Sequence, residues 1–183
     1  MALTAASGPI ALAETYLAAQ LANAAAFRTW AGAADVAAAL ARIDYHAIDA
    51  PADGNTHTKA ELQTARPFAV IYTAPSSGYS LRMDAVSDDY EFLDGGSIII
   101  QLEQDVPEAL QANTADNNAE IMRRMLNSLG NILADVAAQS GQAGRLNIMG
   151  LEVEALARSE GDEIEAEGDY LMAIIRVDWG QRG

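Results

Sequence analysis

The chain has 183 residues, no cysteine, and 26 acidic against 11 basic side chains, which gives a formal net charge of −15. The length suits one domain with a buried core. The absence of cysteine excludes a disulfide scaffold, a cysteine metal site and a thiol nucleophile, and the charge disfavours conventional binding of DNA or RNA.

The N-terminal region predicts two helices. Apolar residues at helical spacing indicate a first helix from Pro9 to Ala31, with Ser7 as a cap and Gly32 as its stop. Asp35 is placed to cap a second helix over Val36–Ile43, in which Val36, Leu40 and Ile43 share one side. The apolar face of the first helix comprises Leu12, Tyr16, Leu17, Leu21, Ala24 and Phe27.

A polar stretch and three strands follow these helices. Residues 52–65 predict an exposed loop or a long hairpin connection. Phe68–Thr73, Tyr79–Val86 and Ser97–Gln104 are rich in β-forming residues or alternate in polarity, so each predicts a strand. Asp94-Gly95-Gly96 is interpreted as the turn that precedes the third of them.

The clearest helical pattern covers residues 117–139, which at about 1.5 Å per residue would span roughly 33 Å. Asn117 with Glu120 resembles a capping box, and Gly141 lies just past the end. The predicted core-facing stripe comprises Ile121, Met122, Met125, Leu129, Ile132, Leu133 and Val136.

Two long strands close the chain, over Arg145–Arg158 and Tyr170–Trp179. Gly150 is a natural bulge position in the first of them. The second is apolar on much of both faces, which predicts an interior position in the sheet. The acidic connection, residues 159–169, predicts an exposed hairpin loop.

This order of elements predicts an α+β fold: a mainly antiparallel sheet packed against a long amphipathic helix, with an N-terminal helical segment. We expect one domain over residues 1–183. Its parts are N-terminal helices at 1–45, strands at 66–106, the long helix at 116–140 and a terminal β-hairpin at 145–180.

The sequence offers few groups for catalysis. Acidic residues concentrate at 84–105 and 152–169, but neither stretch has the order of a calcium loop, and solvated faces explain them best. His46 could pair with Asp44 or Asp49, although a surface position is favoured, and His57 lies in a polar loop. We therefore expect no catalytic residue, metal or cofactor. A carboxylate or metal-dependent enzyme remains the less favoured alternative.

Targeting signals are not evident in the sequence. The N-terminus has no basic region before a compact apolar run, and no window approaches about 18 uninterrupted apolar residues. We expect a cytosolic protein with a helical N-terminus and no membrane association.

The C-terminal third carries a resemblance to a known family. A long amphipathic helix leads into a strand, an acidic loop and a final strand that reads GDYLMAIIRVDWG from Gly168 to Gly180. This pattern resembles the tail terminator proteins of tailed bacteriophages and the related tail-completion and neck proteins. The opening helix containing Phe27-Arg28-Thr29-Trp30 and the short helix after Asp35 are similar to that family in their order.

The resemblance implies a virion structural protein without enzyme activity or cofactor. Such a protein forms a hexameric ring at the head-proximal end of the tail tube, ends tube polymerisation and joins the tail to head-completion or neck proteins. It would be made in the host cytoplasm and lie in the tail and neck region, where DNA passes through the lumen without specific binding. The alternative is another neck or head–tail connector (adaptor) protein.

A head-to-tail ring needs two different complementary patches on each copy. Arg123-Arg124 on the long helix is the only basic pair, and it could meet an acidic hairpin of a neighbouring copy. On this hypothesis, charge reversal of both arginines weakens assembly at low salt. The other candidate interface residues are Glu160, Asp162, Glu163, Glu165, Glu167 and Trp179.

Overall fold

The computed structural model describes residues 9–45, 66–73, 79–86, 89–159 and 169–182, and of residues 9, 79–86, 89–94, 181 and 182 it describes the backbone alone. The helices are α1 (Pro9–Asn23), α2 (Ala25–Ala31), α3 (Val36–Leu40), a short 3-10 helix (Glu108–Leu110) and α4 (Ala115–Ala137). The strands are β1 (Ile43–Tyr45), β2 (Phe68–Tyr72), β3 (Tyr79–Val86), β4 (Asp89–Asp105), β5 (Ile148–Ser159) and β6 (Tyr170–Arg182).

The strands form one sheet in the order β1-β2-β4-β6-β5, and β3 pairs with β4 beside that path. β1 runs parallel to β2, whereas the other pairs are antiparallel. β6 pairs with β4 from Leu93 to Asp105, so β2 and β3 share the opposite edge of β4. The α+β prediction and the interior position of the last strand are therefore confirmed.

One face of this sheet carries the core. Alternate residues of β6 from Leu171 to Trp179 are buried, and they join Ile98, Ile100 and Leu102 of β4 in a cluster with α1, α2 and α4. The buried stripe of α4 comprises Ile121, Met125, Leu129, Ile132 and Val136. Strand residues of the opposite face do not join that cluster: Phe68, Ile99 and Glu103 are buried there as well, whereas Glu152 and Glu154 are exposed.

The prediction of one helix over residues 9–31 is wrong, because the helix is interrupted. Ala24 has an extended backbone, with φ −66° and ψ 120°, and separates α1 from α2. Ala24 directly precedes α2, and its side chain makes no capping hydrogen bond. Instead, Asp135 of α4 accepts a hydrogen bond from the Ala26 N–H at 2.8 Å. A residue distant in sequence thus satisfies the new helix end. Gly32, with φ +64°, ends α2 as predicted.

The second helix is shorter than predicted, although its cap is confirmed. The Asp35 side chain accepts from the Ala38 N–H at 2.8 Å, and α3 ends at Leu40. Ile43 belongs to β1 instead, where it pairs with Ala69 and is buried. Pairing with β2 therefore overrides the helical spacing of Ile43.

The predicted turn at Asp94-Gly95-Gly96 is also wrong, because these residues continue β4. Asp94 pairs with Leu81 on one side and with Gln181 on the other. A Cβ atom at Gly95 would lie 2.9 Å from the Trp179 carbonyl oxygen. Glycine inside this strand therefore permits close approach of a neighbouring backbone and does not make a turn.

Other boundaries shift by a few residues. Thr114 caps α4, since its hydroxyl accepts from the Asn117 N–H at 3.2 Å, so the predicted Asn117 cap is wrong. β5 begins at Ile148 and its pairing with β6 slips at Gly150, which confirms the predicted bulge. The predicted loop at 52–65 and most of the acidic connection at 159–169 lie outside the described residues.

Candidate interaction surfaces

The face of the sheet opposite the core contains an arginine surrounded by carboxylates. Arg176 on β6 lies 2.9 Å from Glu152, 3.3 Å from Glu154 and 3.4 Å from Asp178, measured between guanidinium nitrogens and carboxylate oxygens. Asp178 also accepts a hydrogen bond from the Ser97 hydroxyl at 2.8 Å. The single cation is thus shared among three acids, and this part of the face remains negative.

Tyr72 on β2 lies on the same face of the sheet as this cluster. Burial raises the pKa of Tyr72, and the charge of Glu154 raises it further. Both causes favour the neutral phenol, because burial and a nearby anion each disfavour the ionised form.

A second charged cluster lies on the same face, near the ends of β4 and β6. The Arg66 guanidinium lies 3.2 Å from Glu103 and 3.4 Å from Asp105. It also stacks over the Tyr170 ring, with 3.8 Å between the guanidinium carbon and the ring centroid. In the described residues of this face, the carboxylates outnumber the arginines. The exposed or half-exposed members are Asp105, Glu152, Glu154 and Asp178, against Arg176, whereas Asp44, Glu103 and the Arg66 side chain are buried.

The predicted arginine pair lies on the exposed side of α4. Arg123 Nε and Arg124 Nε donate to opposite oxygens of Glu120, at 3.0 Å and 2.7 Å. Hydrogen bonds from Arg124 and then Arg123 lower the pKa of Glu120 below its ordinary value. Both arginines therefore bind an acid of their own helix, and they remain accessible to a partner.

The acidic residues predicted to meet those arginines lie outside the described residues. They are Glu160, Asp162, Glu163, Glu165 and Glu167. The pairing of arginine helix and acidic hairpin stays a prediction. Trp179, the remaining candidate, is buried in the core, where it pairs with Gly96 on one side and Ile148 on the other.

A groove of about 480 Å³ lies between α2 and α4, and the sequence alone did not indicate it. Thr29, Trp30, Asn131 and Asp135 contribute to its lining. The Trp30 indole N–H donates to Gln104, and Asp135 holds the start of α2. These polar groups therefore already serve the packing of α2 against its neighbours.

Two apolar surfaces at the sheet margins also escaped sequence reasoning. Leu12, Val36 and Leu40 are exposed on α1 and α3, although spacing had grouped them with residues that are buried. Leu126, Met149 and Val153 are exposed on α4 and β5. We name these sets the α1–α3 surface and the α4–β5 edge. Spacing reveals that residues share a face, but not whether another element covers it.

The described parts of the chain contain neither a cluster of metal-ligating side chains nor a membrane-spanning helix. No group of three or more His, Asp or Glu residues there is arranged to hold a metal ion. No helix there is both long and apolar enough to cross a bilayer. His46 and His57 lie outside the described residues.

No protein-family model matches the chain, and no curated protein matches it. The charged and apolar surfaces described above, together with the resemblance of the C-terminal third, are therefore the basis for a functional proposal.

Proposed function

We propose that this chain is a virion structural protein, a tail terminator that forms a ring at the head-proximal end of a phage tail tube. In this role it ends tube polymerisation and joins the tail to head-completion or neck proteins. The observation that carries the proposal is the face of the sheet opposite the core, where carboxylates outnumber arginines.

An acidic surface suits a conduit for DNA. Phosphate contacts by lysine and arginine make binding strong, whereas carboxylates repel the phosphate backbone. If copies arranged around an axis turned this face inward, DNA would pass without being held. The net charge of −15 supports the same reading, because the chain has little cationic surface to grip DNA.

The hairpin of β3 and β4 offers a means of reaching another protein. β6 pairs with β4 only as far as Leu93, so the Asp89–Phe92 part of β4 pairs with β3 alone among the described strands. This two-stranded ribbon extends past the end of β6. A projecting ribbon is suited to contact the next component of a layered assembly, such as a tube or neck protein.

Electron microscopy and native mass spectrometry of the purified protein test the proposal. We expect closed sixfold rings, and we expect added protein to stop growth of tail tube protein in a polymerisation assay. Rings that bind a head-completion protein without stopping the tube would indicate the alternative neck or connector role. Tight binding of Ca²⁺ or Mg²⁺ by calorimetry, without rings, would favour a carboxylate or metal-dependent enzyme.

The orientation of the acidic face is tested by charge reversal. Glu152→Lys adds a cation to that face, and Glu108→Lys is the matched control on the exposed 3-10 helix. We expect only Glu152→Lys rings to retard DNA in a mobility-shift assay. Equal retardation by both variants would contradict an inward orientation of the face.

A further inference from the structure

Within α1 and α3 the exposed side chains carry no charge, and the exposed cap residue Asp35 is the acid that adjoins them. Glu14 is the one charged residue in α1, and it is buried, with its carboxylate accepting from the Thr73 hydroxyl at 2.9 Å. α3 has the sequence VAAAL and contains no charge. Exposed Leu12, Val36 and Leu40 therefore lie on a surface that a second acidic molecule can approach with little charge repulsion.

The α4–β5 edge is uncharged at the start of β5, and the exposed Glu152 and Glu154 flank Val153 further along the strand. Met122, Leu126 and Leu133 follow one another at helical spacing on one flank of α4, and Leu126 is half exposed. Within the described chain, β5 pairs with β6 alone, and its uncharged start includes Met149, which is 72% exposed. This edge therefore combines apolar side chains with a strand margin that pairs with no other described strand, although the Ser140 hydroxyl bonds the Ile148 backbone at its start.

The two surfaces lie at opposite ends of the sheet. α1 packs against α3, β1 and β2, whereas α4 packs against β5. β1 and β5 are the terminal strands of the sheet order. Among the described side chains, the six exposed large hydrophobic residues divide equally between these two ends.

Charge argues against a twofold pairing of the α4–β5 edge with its own copy. A twofold antiparallel pairing of β5 centred on Val153 would set Glu152 of one copy opposite Glu154 of the other. Like charges directly opposite on paired strands are destabilising. A contact between the α1–α3 surface of one copy and the α4–β5 edge of another avoids that arrangement. One such contact with each neighbour buries both apolar surfaces.

We propose that the α1–α3 surface of one copy packs against the α4–β5 edge of the next copy. The contact is heterologous, so it generates a ring when the rotation closes and an open chain when it does not. Its apolar side chains would form the centre, and the neighbouring Asp35, Glu152 and Glu154 would lie at the polar rim that protein interfaces usually have. It deepens the proposed function, on which it rests for closure into a ring.

A mixing experiment tests this contact. Leu40→Glu blocks the α1–α3 surface, and Leu126→Glu blocks the α4–β5 edge. Asn127→Glu adds the same charge to the exposed polar side of α4 and serves as the control. All three positions are exposed, so we expect unchanged circular dichroism and thermal unfolding of the subunit.

Native mass spectrometry should find that each blocked variant alone loses the assembly formed by the unmodified chain and by Asn127→Glu. Each of the two blocking substitutions should raise the dissociation constant of the assembly by at least about tenfold. An equimolar mixture of the two blocked variants should give a one-to-one dimer, because one intact surface of each kind remains. A purely structural defect in either variant would not be rescued by mixing.

Other outcomes overturn the contact. If both single variants still assemble, a different interface holds the copies together. If only one of the two variants fails to assemble, the interface is a different one or a twofold one. A chain that stays monomeric at every concentration also contradicts it, and covering by another protein would then be the remaining explanation. Open chains that pass the mixing test but never close would retain this contact and overturn the ring function.

Discussion

Gln20 joins three parts of the molecule through one buried residue. Its side chain accepts from the Leu146 N–H at 2.8 Å and donates to the Leu146 carbonyl at 3.2 Å. The backbone carbonyl of Gln20 accepts a hydrogen bond from the Gln139 side chain at 3.0 Å. α1 is thereby bound to the end of α4 and to the segment before β5. Nothing in the local sequence distinguishes this glutamine, because its partners lie more than a hundred positions away.

Gln20→Ala should destabilise the fold by about 2 kcal/mol, since it leaves the buried Leu146 N–H without an acceptor, whereas the Leu146 carbonyl keeps the Gly141 N–H as a donor. Chemical denaturation measures the change in the free energy of unfolding. Gln142→Ala is the control, because Gln142 is exposed, and it should cost no more than about 0.5 kcal/mol. Equal losses for the two variants would contradict a structural role for Gln20.

Glu120 is the residue that both predicted interface arginines bind. Their hydrogen bonds stabilise the ionised carboxylate and lower its pKa. A carboxyl whose folded pKa is lowered contributes stability above its unfolded pKa, and loses that contribution as the pH falls through the folded pKa. The pairing therefore weakens only in acid, and it persists at neutral pH.

Replacing Arg123 and Arg124 together by Gln should raise the pKa of Glu120 toward its ordinary value. A carbon-13 NMR titration of the Glu120 carboxyl measures the shift. Arg145→Gln is the matched control, because Arg145 binds Gln139 and Gly144 and not Glu120. An unchanged titration in the double variant would mean that the ion pairs do not persist in solution.

At the scale of elements, α4 combines a strong sequence pattern with an N-terminus that the pattern misplaces. The apolar period correctly predicts a long helix with one buried stripe, because periodicity is a sum over many residues. A cap depends on the geometry of a few atoms. Thr114 and Asn117 are both acceptable cap residues by type, and the backbone of Thr114, with φ −107° and ψ 155°, determines which one serves.

Thr114→Ala should lower stability by about 1 kcal/mol, because the Asn117 N–H loses its acceptor. Thermal denaturation measures the effect, and Thr114→Ser should largely retain stability because it keeps the hydroxyl. Asn117→Ala should cost less, since Asn117 bonds only the Ala112 carbonyl with its side chain. A greater loss for Asn117→Ala than for Thr114→Ala would restore the capping box as the helix start.

For the whole molecule, the net charge opposes association between copies, whereas the exposed apolar surfaces favour it. Copies of a chain at −15 repel one another at long range, so association must use surfaces without charge or pairs of opposite charge. The first kind is the proposed apolar contact between the α1–α3 surface and the α4–β5 edge. The second kind is the predicted pairing of Arg123 and Arg124 with an acidic hairpin. They differ in their response to salt.

Raising the salt from about 10 mM to about 150 mM shortens the screening length from about 30 Å to about 8 Å. If the apolar contact dominates, association should strengthen, because repulsion between copies is screened and apolar burial is retained. If arginine–carboxylate pairs dominate, association should weaken. Sedimentation velocity at both concentrations measures the change, and charge reversal of Arg123 and Arg124 should abolish any weakening. An unchanged ring mass in that variant would contradict the arginine pairing.

The sequence by itself determined the elements that repeat a pattern over many residues: the α+β order, the long amphipathic α4, the interior β6 and the bulge at Gly150. Only the tertiary structure decided that the helix is interrupted at Ala24, where Asp135 accepts from the start of α2, why Gly95 lies within a strand, and which of two caps starts α4. It also decided that Leu12, Val36 and Leu40 remain uncovered. The physical reason is the range of each cause. Periodicity is written in neighbouring residues, whereas caps, close approaches and exposure depend on atoms that only folding brings together.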